Sequence, residues 1–241
     1  MFSVMKRLCS AGEYNELPDV VAADAALRPL EAELDELIRR GSQACLATPF
    51  EHGSLGGFLL HKHWELDDGY SMVERCGLDP SGRPALITSP RPSDELAATA
   101  PSRFKVDPER AALVALEFSS DPLVVEIWRC LNAQPDVLAR LCQIISASGL
   151  ADKVGLGILT RRVPIDEDEV LVEENCDGES LLSARTLSTE QKEVVIQTGW
   201  AFVASDPQEG GAGTRGLHGM QPGNQAHKKY HAKPKPRISS G

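Results

Sequence analysis

Apolar positions recur at two different periods along this chain. Helical spacing places Leu30, Leu34, Leu37 and Ile38 on one stripe after Pro29, with Gly41 as an end or a bend. The spacing returns after Asp121-Pro122, a cap followed by a first-turn proline, and runs through Val125, Trp128 and Leu131. Pro135 then opens a helix through Val137, Leu138, Leu141, Ile144 and Ile145, which Gly149 closes. Strand patterns fill much of the remainder, over 84–89, 180–187 and 194–203. The run AALVALEF from Ala111 carries both signals: the preceding DPER is a helix start, yet the run suits a buried strand.

Two stretches keep step with each other. LLHKHWELDDGYSMVE from Leu59 lies over ILTRRVPIDEDEVLVE from Ile158 at an offset of 99 residues, without a gap. Apolar, basic and acidic positions agree, and a helical pattern precedes each copy. Self-similarity of this kind predicts a duplicated module. The expected fold is therefore α+β: two homologous modules, each with helices packed on a small antiparallel sheet. The corresponding division is an N-terminal extension over 1–22, modules over 23–104 and 105–204, and a tail over 205–241. The tail, rich in Gly, Pro and Lys and without apolar periodicity, reads as disordered.

Each copy reads as a hairpin. With Asp67-Asp68-Gly69 as a three-residue loop, Leu66 opposes Tyr70, Trp64 opposes Met72 and Lys62 opposes Glu74. The same rule sets Arg161 across from Glu173. Cross-strand ion pairs explain both, and an anionic ligand held by Lys62 and Arg161 is the functional alternative. The opposite face of the first hairpin carries His61, His63 and Glu65. Alternation puts both imidazoles on one side, the arrangement a two-histidine metal site or a general base needs. The second copy has Thr160 and Arg162 instead, so such chemistry would belong to one module.

The totals narrow the classes. A formal charge of −10 over 241 residues argues against general nucleic-acid binding. The excess is larger outside the tail, whose net charge is +4. Six scattered cysteines without a C-x-x-C pair suit reduced thiols in the cytoplasm. The opening residues make a poor secretory signal, and no apolar window is long enough for a membrane span. No phosphate-binding glycine motif is set between a strand and a helix. Three readings follow. The first is a cytoplasmic, non-catalytic protein that binds a small, for instance anionic, ligand or acts as an accessory. The second is a hydrolase or oxygenase with a divalent metal on His61 and His63, assisted by Glu65 or Glu74. The third is an interaction module that docks an acidic partner through its basic tail. Nothing in the sequence argues for or against a homodimer.

Overall fold

The helices form where the apolar stripe and the capping residues place them. In the computed structural model, which describes residues 5–45, 53–160, 162–176, 178–202 and 229–232, Ser10 caps α1 (Ala11–Asn15) and Asp19 caps α2 (Val20–Leu27). Helix α3 (Glu31–Cys45) buries Leu34 and Leu37 and runs through Gly41. A Cβ at Gly41 would lie 2.9 Å from the Phe202 ring, so this glycine serves close packing and does not end the helix. The Asp121 carboxylate accepts from Leu123 N at the start of α4 (Pro122–Asn132). Helix α5 (Pro135–Ala147) is followed by Gly149 at a φ of 74°, as the sequence suggests. A short α6 covers Thr189–Val194.

The strands are β1 (Met5–Leu8), β2 (Gly53–Leu59), β3 (Tyr70–Leu78), β4 (Pro84–Pro92), β5 (Ala100–Asp107), β6 (Ala112–Ser119), β7 (Val154–Thr160), β8 (Glu169–Cys176), β9 (Glu179–Thr186), β10 (Val195–Ala201) and β11 (Lys229–Ala232). The ambiguous run after Ala111 is thus a strand, buried along its whole length. All eleven strands join one mixed sheet in the order β1-β6-β3-β4-β9-β8-β11-β10-β2-β7-β5, and β5 pairs back to β6. The sheet therefore curls into a closed ring, which replaces the two small sheets expected from the sequence.

Neither expected hairpin exists. Strand β2 pairs with β7 and β10, and β3 with β4 and β6. Residues 60–69 form a connection between strands that are not neighbours. The second copy behaves alike: β7 joins β2 and β5, and β8 joins β9 and β11. Alternating residues that look like two arms of a hairpin instead serve separate partners, and local pattern cannot tell these apart. Other expectations also change. The supposed extension contributes β1, parallel to β6, and α1, whose Tyr14 is fully buried. The position between residues 104 and 105 falls inside β5. Within the supposed tail, Lys229–Ala232 forms β11 between β8 and β10, and the rest of the tail lies outside the described residues.

The ring has an internal correspondence. Exchanging β2 with β7, β3 with β8, β4 with β9, β5 with β10 and β6 with β11 reproduces every pairing of the ring and its sense. The parallel pair β3/β6 answers β8/β11. The exchange maps β2/β7 and β4/β9 onto themselves, and in the former Gly57 faces Leu156, its own counterpart at 99 residues.

The helices cover one arc of the ring. Leu34, Leu37, Val124, Ile127, Leu138 and Leu141 pack against Leu55, Leu59, Phe104, Leu113 and Leu156 in the largest core. Burial of such side chains supplies most of the favourable free energy of folding. The other face of the sheet is turned inward by closure and holds two smaller apolar clusters. One joins Tyr14, Phe58, Leu60, Leu66, Met72 and Leu116; the other joins Leu86, Val163, Leu171, Leu182 and Ala184.

Candidate functional site

A polar centre sits among the residues of this inner face. It begins in the connection after β2, where the chain stops pairing and dips inward: Leu60, His61, His63 and Leu66 are buried, while Lys62 and Glu65 turn outward. The backbone N of His63 donates to the Tyr14 hydroxyl at 3.3 Å, and Asn175 Nδ2 donates to the His63 carbonyl at 3.3 Å. His61 Nδ1 lies 2.8 Å from Leu59 O. Facing a carbonyl, that nitrogen carries a proton, and Nε2 is the ring atom turned toward the rest of the centre. The two imidazoles meet edge to face with centroids 4.9 Å apart.

Arg103 of β5 and Glu117 of β6 reach the same place. A Glu117 in strict alternation with Leu113 and Ala115 would enter the helix-covered core. The β5/β6 register slips there, with Arg103 opposite Glu117 and Phe104 opposite Ala115. Such a bulge leaves Leu116 and Glu117 on one side, which re-aims the carboxylate inward. Opposite, β7 presents Gly155 and Gly157. A Cβ on Gly155 would lie 2.5 Å from the Phe58 ring and 2.4 Å from the Phe104 carbonyl oxygen, so glycine gives the ring its space. The Arg103 guanidinium lies 5.6 Å from the centroid of that ring, within cation–π range.

The charges form one group. Arg103 Nη1 is 2.9 Å from Glu117 Oε2 and 3.1 Å from His63 Nε2; Nη2 is 3.8 Å from Glu173 Oε1. His63 Nε2 stands 3.3 Å from Glu117 and 4.0 Å from Glu173. Side-chain exposures are 0% for His63, 3% for Glu117, 1% for Glu173 and 11% for Arg103. Burial alone would lower the Arg103 pKa, but Glu117, Glu173 and Glu74 raise it above the ordinary arginine value. Burial pushes the Tyr14 hydroxyl up as well, with Glu117 adding to the effect, so it remains a neutral phenol.

The expected site residues are therefore redistributed. His61, His63 and Glu173 come together, with one ligand atom from each within 4.8 Å of the others. Glu65 points to solvent and is bonded by Lys62, whose ammonium also donates to Asn15 O at 2.8 Å. Lys62 does not pair with Glu74, since β2 and β3 are apart; the Glu74 carbonyl instead accepts from Ser120 N. Arg161 lies outside the described residues, and Glu173 faces Arg103. Arg162, where the second copy aligns with His63, binds the buried Asp121 at 2.9 Å. His52, His218 and His227 lie outside the described residues. Sequence reasoning missed Arg103, Glu117 and Tyr14. The available signal was Glu117 in the otherwise apolar run ALVALEF, because a buried carboxylate requires a cationic partner.

This arrangement favours stabilised charge over turnover. A tetrahedral zinc with bonds near 2.0–2.2 Å would draw its ligand atoms to roughly 3.3 Å from one another. The observed spread is wider, and a guanidinium already stands against His63. Among the described residues, the thiols of Cys9, Cys45, Cys76 and Cys142 are not activated. Burial pushes the thiols of Cys45 and Cys142 up to about 11 and 12, and burial and Asp121 raise that of Cys76. No protein-family model matches the chain, and no curated protein or solved structure matches it.

Proposed function

We propose that the chain is a non-catalytic binding or accessory protein, in which a duplicated module closes one ring and the charged centre holds that ring together. The observation that carries this reading is the seclusion of His63, Glu117 and Glu173, each at most 3% exposed and each within 4.0 Å of the Arg103 guanidinium. A catalytic base or metal-bound water needs access to substrate. Binding then takes place on the outer surface. The matching pairings of the two halves support duplication, and no helix among the described residues is long and apolar enough to cross a membrane. The cytoplasmic setting rests on the scattered cysteines.

The convergence of His61, His63 and Glu173 favours a second reading, a divalent metal centre. Elemental analysis separates the two. The full chain is required, because truncation after Ser205 would remove β11, in which His231 pairs with Glu173; His218 and His227 are replaced by Ala to prevent adventitious binding. Substoichiometric metal and a thermal midpoint unmoved by chelator are expected. Near-stoichiometric metal, lost in a folded His61→Ala/His63→Ala variant, would overturn the non-catalytic reading.

A further inference from the structure

On the outer surface, α3 and α5 pack together and bound a small groove of about 180 Å³ lined by Arg40, Gln43, Arg140, Gln143 and Ile144. Both helices bear the same pattern, an arginine followed three residues later by a glutamine, at an offset of 100 residues. Residues three apart share a helix face, so each helix presents one guanidinium and one carboxamide to the same space. The two helices precede β2 and β7, strands that correspond in the ring. The groove is thus lined by like residues from both halves.

Nine other arginines (7, 28, 39, 75, 83, 103, 110, 162 and 185) are matched to carboxylates within 4.0 Å. Among the described residues, Arg40, Arg91, Arg129 and Arg140 form no such pair, although the chain carries 35 acidic residues against 25 basic ones, and of these four Arg40 and Arg140 line one groove together. Two guanidiniums share a concave space, and a bound anion would relieve their repulsion. Guanidinium forks fit planar or tetrahedral oxyanions with paired hydrogen bonds, and the glutamine amides add donors. The volume is below the roughly 300 Å³ of pockets for drug-sized ligands. A second cavity of about 340 Å³ adjoins it at Arg40 and Ile144, lined also by Glu33, Glu36, Leu37 and Ser148. Its glutamates oppose further negative charge, so anything extending past Arg40 is neutral or cationic.

We propose that Arg40, Gln43, Arg140 and Gln143 form a binding site for a small oxyanion of the phosphate or carboxylate class, free or as the head of a small molecule. This assignment rests on the reading of the chain as a binding protein and gives that reading its ligand class.

The test is calorimetric titration of the full chain with inorganic phosphate and, separately, with succinate, at ionic strength matched with chloride. Saturable heat with at least one of them is expected, and the stronger of the two identifies phosphate or carboxylate as the preferred head. Arg40→Gln and Arg140→Gln should each weaken binding at least tenfold, and the double variant should abolish it with its circular dichroism unchanged. Glu36→Gln, beside Arg40, should tighten it. No saturable binding to either anion, or equal binding by the double variant, overturns the assignment. The His61→Ala/His63→Ala chain, if folded, should titrate like the parent. Failure of the anion site is thereby distinguishable from failure of the non-catalytic reading, which metal content decides.

Discussion

At the residue scale, the charged centre stabilises through compensation. Arg103 faces two buried carboxylates, so removing its charge leaves both without it. Breaking a buried pair from one side costs about 3–5 kcal/mol, whereas replacing all partners by neutral groups costs far less. Arg103→Met should therefore lower stability by about that amount in urea unfolding, and Arg103→Met/Glu117→Gln/Glu173→Gln should recover a large part of it. A loss below about 1 kcal/mol for the single variant would mean that water reaches the centre. Gly155→Ala probes the packing beneath it. With Phe58 at 2.5 Å and the Phe104 carbonyl oxygen at 2.4 Å from the added methyl, overpacking of about 1–3 kcal/mol is expected from the same measurement. Two carboxylates, the partly exposed Glu13 and the buried Glu169, contribute to the acid limb of stability. Side-chain hydrogen bonds from Arg7 and Arg83 hold Glu13 and Glu169 down to about 2, from an ordinary 4.5. Their contribution is complete above the unfolded value and is lost as pH falls from there toward about 2. Arg83→Gln should thus be destabilising at neutral pH, and its urea midpoint should converge toward the parent's as pH falls through that interval. A constant gap would refute the role given to Glu169.

At the element scale, β11 closes the ring from a segment whose composition suggests disorder. It pairs antiparallel to β10 and parallel to β8, as β6 pairs to β5 and β3. Deleting residues 229–241 should therefore lower the urea midpoint and speed amide exchange over Leu171–Glu173, while deleting 233–241 should do neither. Equal behaviour of the two truncations would remove β11 from the fold. The sequence signals that succeed are those in which one residue decides its own neighbourhood: Asp121 capping α4, Pro135 opening α5, Gly149 following it. The offset-99 alignment also found segments that correspond in the ring. The signals that fail concern pairing at a distance. The alternation around His61 and His63 is the same whether residues 60–66 form a strand or plug a barrel, and a strand's partner is not written in the strand. Glu117 reaches the centre only through a bulge in the β5/β6 register, which depends on both strands together. Half the centre was therefore legible as histidines on one short segment. Arg103 and Glu117, contributed by β5 and β6, were not, and Glu173 of β8 was singled out only as the partner of Arg161.

At the scale of the whole molecule, the ring decides whether the halves are independent. Both neighbours of β2 in the ring, β7 and β10, come from the second half, and both neighbours of β7, β2 and β5, come from the first. The junction of β4 with β9 also crosses between halves. A fragment ending at Ser120 keeps β2 to β6 yet exposes β2 on both edges, and open edges pair with whatever strand is offered. Because the exchange of halves preserves every pairing, the best available strand is the equivalent one on a second copy. Two first-half fragments can in principle close a ten-stranded ring, β2 against β2 and β4 against β4. The fragment over residues 1–120 should therefore never be a folded monomer: light scattering and circular dichroism should find it unfolded when dilute and dimeric when folded. Co-expression with 121–241 should instead give a one-to-one complex, because only that pairing supplies Glu173 opposite Arg103. A monomeric first half that unfolds cooperatively would show that its strands find sufficient partners locally, and the closed ring would then be an association of two finished domains.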